Sequence, residues 1–132
     1  MPAIPIVVCG RSPEIAHKVE KDLQPEYNVV RIVLSPEADI NEIPSLLAGE
    51  NAPVAVALGG AFDDATVDSM REAASKAGDV VWLRVDKSRV SEMPSMEDKE
   101  VFGAALAKRI KASLQEHKVG QDSGKKSGVY LF

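Results

Sequence analysis

Four short runs of β-branched and aliphatic residues alternate with helical patterns, and this alternation limits the chain more than any other feature. The runs are Ile4–Val8, Val29–Leu34, Val54–Leu58 and Val80–Val85, each closed by Gly, Pro, Ser or Asp nearby. Continuous apolar runs of that length are how strands buried on both faces of a parallel sheet read. Helices are expected between them. Ser12 caps the first, with Pro13 at its first position, Ile15, Val19 and Leu23 along one face, and Pro25 as its stop. A second is expected over 42–48, capped by Asn41, with Pro44 in its first turn and Gly49 at its end. The third starts at Asp63 or Asp64, carries Val67, Met70, Ala74 and Ala77, and ends at Gly78. The fourth runs from about Asp98 to His117 with Phe102, Leu106, Ile110 and Leu114 as its apolar stripe.

The pattern βαβαβαβα calls for right-handed crossovers and helices on both faces of a parallel sheet. The expected fold is one three-layer α/β/α domain over 1–118, Rossmann-like or flavodoxin-like, with a four-stranded parallel sheet. Charge orders the strands. The first and third contain no charged residue, whereas the second contains Arg31 and the fourth Arg84. Charge is better tolerated at an edge, so the expected order is 2-1-3-4. Residues 119–132 read as a flexible linker followed by an apolar tail, Val129-Tyr130-Leu131-Phe132. An apolar terminus is expected to dock as an extended segment, on its own domain or on a second copy in a homodimer.

Composition narrows the function classes. The chain is 45% hydrophobic and 27% charged over 132 residues, the balance of a folded globular domain. No apolar run nears the roughly 20 residues that span a bilayer. No positive leader precedes Ile4, so a cytoplasmic, membrane-free protein is expected. One cysteine and two histidines leave little for a metal site. Residues 1–104 carry 10 basic and 18 acidic residues, and residues 105–132 carry 6 and 2. The basic residues late in the fourth helix suit its dipole, and a net charge of -4 lacks the footprint of a nucleic-acid binder.

In an open α/β sheet of order 2-1-3-4, a ligand binds beyond the carboxyl ends of the first and third strands. The loops there are Cys9-Gly10-Arg11-Ser12-Pro13 and Gly59-Gly60-Ala61-Phe62-Asp63-Asp64. Both lead into helix N-termini, which favour anions. Gly10, Arg11, Ser12, Gly59 and Gly60 are therefore the expected binding residues. Val7-Val8-Cys9-Gly10-Arg11, the Gly-Gly end of the third strand and the alternation over 4–117 resemble a trimmed NAD(P)-binding Rossmann-type domain. That resemblance implies NAD(P) as cofactor and an oxidoreductase-related protein. Only Gly10 stands where G-x-G-x-x-G has three glycines, and no Tyr-x-x-x-Lys dyad is present. The stretches Cys9-Gly10-Arg11-Ser12-Pro13-Glu14-Ile15 and Leu23-Gln24-Pro25-Glu26-Tyr27 also resemble small uncharacterised proteins of that type from filamentous fungi.

Cys9 sits at a strand end beside Arg11, an environment that lowers a thiol pKa, so a thiol-dependent enzyme is one alternative. Against it, Ile15 stands where a Cys-x5-Arg loop needs arginine, and the spacing also fits a small buried hydrophobe. Asp63 and Asp64 read as cap and dipole partner. His17 and His117 read as solvated, Asp86-Lys87-Ser88 as a turn, and Trp82 as packed beneath a helix. No nucleophile, base and orienting group assemble. The expected function is thus a non-catalytic or cryptic module that binds a partner protein or a small nucleotide- or phosphate-type anion. No catalytic residue and no metal ligand is assigned.

Overall fold

The structure is a computed structural model. It describes residues 4–10, 13–24, 26–34, 36–49, 52–58, 64–78, 80–85, 98–119 and 128–132, and only the backbone of 36–41. In chain order its elements are β1 (Ile4–Cys9), α1 (Pro13–Leu23), β2 (Tyr27–Val33), α2 (Pro36–Leu47), β3 (Ala55–Leu58), α3 (Asp64–Ser75), β4 (Val81–Arg84), α4 (Lys99–Glu116) and β5 (Gly128–Leu131).

The sheet is parallel throughout, in the order β2-β1-β3-β4-β5. It thus has five strands where four were expected. The extra strand is the apolar tail, which pairs with β4 of its own chain from Val81↔Gly128 to Arg84↔Leu131. The Phe132 N–H adds a bond to the Arg84 carbonyl at 2.8 Å, and the Phe132 ring is buried. This moves β4 off the edge that its arginine had implied. Arg84 is accommodated inside the sheet because it is the last residue of its strand. There its guanidinium turns outward to Asp64 Oδ1 at 2.8 Å. Arg31 does lie on an edge strand, where it is exposed and paired with Glu42. A bulge at Val30 interrupts that edge, because Ile6 faces Val29 and Val7 faces Arg31.

Alternate side chains supply two cores. Ile6, Val8, Leu83 and Phe132 pack with Ile15, Val19 and Leu23 of α1 and with Leu106, Ile110 and Leu114 of α4. Val7, Cys9, Val56, Leu58 and Trp82 pack on the other face with Ile43 of α2 and Val67, Met70 and Ala74 of α3. Helices α1 and α4 approach closely at Gly103, where an added Cβ would lie 2.7 Å from the Lys18 side chain. The second helix begins six residues ahead of its expected start, at Pro36, so Pro44 sits inside it. Pro36 at the first helical position is the start signal, since its missing N–H has no helical partner to lose.

One crossover breaks the expected handedness. α1 carries the chain from β1 to β2 in one direction along the sheet. α2 and α3 carry it back in the other direction on the opposite face, so these three units share one hand. α4 continues in the direction of α3 but lies on the face of α1. The β4-α4-β5 unit therefore has the opposite hand, against a rule that holds in about 98% of cases. Long connections permit it. Fourteen residues, 85–98, lead into α4, and eleven, 117–127, lead out. Twist in a strand dictates the side of the next helix only when the link is short.

Candidate functional site

The sheet order reverses at β1. The chain leaves β1 for β2 by way of α1 on one face and reaches β3 by way of α2 on the other. The carboxyl ends of β1 and β3 are neighbours there, with Cys9 opposite Leu58. A crevice between diverging connections is the place where doubly wound sheets take their ligands.

Gly10 is the expected binding residue that falls among the described ones. Its N–H donates to the Val33 carbonyl at 3.0 Å, which extends the β1–β2 ladder by one step. An added Cβ there would meet no atom of the described residues within 4 Å. Arg11, Ser12, Gly59 and Gly60 lie outside the described residues, as do Asp63 and the 86–88 cluster.

Two helix N-termini stand at this end of the sheet on the α1 face. α1 opens with Pro13 and Glu14, and α4 is capped by Asp98, whose side chain accepts from the Val101 N–H at 3.2 Å. Glu14 binds Lys99 at 3.2 Å, which ties the two starts together and neutralises the acid at the mouth of α1. The reversed crossover is what brings α4 here. On the other flank, Arg84 is the partner of Leu58 across β3 and β4. Its backbone therefore stands beside the last residue of β3, and its guanidinium is paired with Asp64. Sequence reasoning used Arg84 to order the strands and did not consider it as a candidate site residue. The available signal was its position near the end of a strand run.

Cys9 is 1% exposed and packs among apolar side chains of the α2–α3 face. Such burial holds a thiol away from both solvent and substrate. Trp82 packs on the same face as α3, as expected. His17 is exposed beside Glu20. His117 departs from expectation. It is half-buried at the end of α4, with its ring centroid 4.0 Å from that of Tyr130. No group of metal-ligating side chains occurs among the described residues, and no helix among them is long and apolar enough to cross a membrane.

The fold defines a parallel α/β protein whose strand order reverses at β1. No family model matches the chain. It is similar to Kojic acid related protein 6 of Aspergillus oryzae, with 36% identity over 126 residues that cover 86% of this chain and 77% of that protein. The chain belongs to the family of that fungal protein.

Proposed function

We propose that this protein is a non-catalytic module, Rossmann-like in type and flavodoxin-like in strand order, that binds a small nucleotide- or phosphate-type anion. The ligand sits at the carboxyl ends of β1 and β3, against Gly10, Arg11, Ser12, Gly59 and Gly60, with Arg84 as an added cation. The observation that carries this reading is the reversal of strand order at β1, where Gly10 follows the strand end. Backbone N–H groups at a helix start suit an anion there. The burial of Cys9 supports a binding role over a thiol-dependent one. An NAD(P)-dependent oxidoreductase-related role uses the same crevice. The name of the Aspergillus relative ties that protein to kojic acid, which therefore joins the ligands to be tried here.

Thermal unfolding with NADH, NADPH, ATP, FMN, inorganic phosphate and kojic acid tests the proposal. A ligand at 100 times its Kd stabilises the fold by about 2.7 kcal/mol. Gly10→Val places its Cβ clear of every described atom and adds bulk at the end of β1, so it is expected to abolish the response. An unchanged response in Gly10→Val, or no response to any ligand, contradicts the assignment.

A further inference from the structure

Arg109, Ser113 and His117 stand at successive turns of one flank of α4, four residues apart. The opposite flank meets α1 at Gly103 against Lys18 and reaches Glu26, just beyond the end of α1, through Lys111. The Arg109 flank turns towards β5, because His117 lies on the ring of Tyr130. That ring folds back over Gly128, with its hydroxyl 3.0 Å from where a Cβ would be.

Two polar groups on this flank are left over. Ser113 is 4% exposed, yet its hydroxyl has no hydrogen-bond partner among the described residues. The Arg109 Nη1 is also buried and unpartnered among them. A buried hydroxyl normally finds an acceptor, and a guanidinium N–H is costlier still to bury alone. Both groups can donate, and what they lack in common is an acceptor, preferably a charged one. His117 borders the same flank and is held in place from it. Its Nδ1 donates to the Ser113 carbonyl at 2.9 Å, since a carbonyl can only accept. This fixes the ring and leaves Nε2 as its second polar atom.

We propose that this flank of α4 is a second binding site, for a small oxyanion held by the Arg109 guanidinium and the Ser113 hydroxyl, with His117 at its lower end. A carboxylate or phosphate group supplies the missing acceptors, and charge-assisted bonds to it are the strong kind. The site is separate from the strand-end crevice and does not depend on it.

NMR titration of the full chain with acetate, and separately with inorganic phosphate, tests this against chloride at equal ionic strength. The expected result is a saturable shift of the Arg109 Nε–H and the His117 ring, with the Gly10 amide unmoved. Arg109→Met keeps the length of the side chain and removes the unpaired donors. It is expected to fold at least as stably as wild type without added anion and to bind acetate or phosphate more than tenfold more weakly. Ser113→Ala is expected to weaken binding about fivefold. A response to phosphate alone assigns the site to phosphate groups, and a response to both assigns it to oxyanions generally. The proposal is overturned if neither probe gives a saturable shift, if Arg109→Met binds as wild type does, or if the shifts centre on Gly10.

Discussion

Lys118 carries a left-handed backbone, φ 53°, at the position where a helix end ordinarily uses glycine. The Val119 N–H reaches the Leu114 carbonyl at 2.9 Å and the Lys118 N–H reaches the Gln115 carbonyl at 3.2 Å, which completes a Schellman end. Val119 is buried beneath it. Lys118→Gly relieves the strained φ and is expected to stabilise the protein by about 0.5–1 kcal/mol. A raised urea midpoint at unchanged slope would register the gain. Tyr27 gives a pH signature. Burial pushes its phenol above the ordinary 10.0, and the Glu26 carboxylate adds to the rise. The folded state thus holds this proton more tightly than the unfolded state. Its contribution is fully present below pH 10.0 and is lost as pH rises through the higher folded value. Unfolding measured across that alkaline range should show a falling stability that Tyr27→Phe makes shallower. The place of Gly10 at the end of β1 was legible from the sequence because a glycine between a strand run and a helix cap marks a turn. The row of Arg109, Ser113 and His117 was not, because charged and polar residues at helical spacing ordinarily mark a solvated face.

Among the elements, β5 has the sharpest consequences. Its pairing with β4 buries Phe132 at 4% exposure and leaves Leu131 at 57%. Phe132→Ala is expected to cost about 3 kcal/mol, and Leu131→Ala about 0.5 kcal/mol or less, in urea or thermal unfolding. Equal effects would mean that the tail does not dock through Phe132. The four strand runs could be read because each is mostly apolar, broken at most by one arginine, and closed by a breaker. α1, α3 and α4 could be read because a cap and an apolar stripe coincide. The early start of α2 was hidden, because Pro44 looks like a first-turn proline when it is in fact nine residues in. The inner place of β4 was hidden too. A charge excludes a residue from a sheet centre only when the side chain is trapped there, and Arg84 at a strand end escapes to Asp64.

At the scale of the whole molecule, the apolar stripe of α4 meets α1 rather than α3, and this choice reverses the last crossover. Nothing in the spacing of the sequence announces it. Which helix faces pair is decided by shape, here by the close approach at Gly103. The result sets two helix N-termini, the end of β1 and the Arg84 cation around one end of the sheet, and the proposed function rests on that convergence. Amide mapping of the ligand that gives the largest thermal shift tests it most directly. The account predicts that the amides of Cys9, Gly10, Leu58 and Arg84 move together, while Asn28 and Gly128 at the far ends of their strands stay still. Shifts centred on Asn28 and Gly128, with Gly10 unmoved, would contradict it.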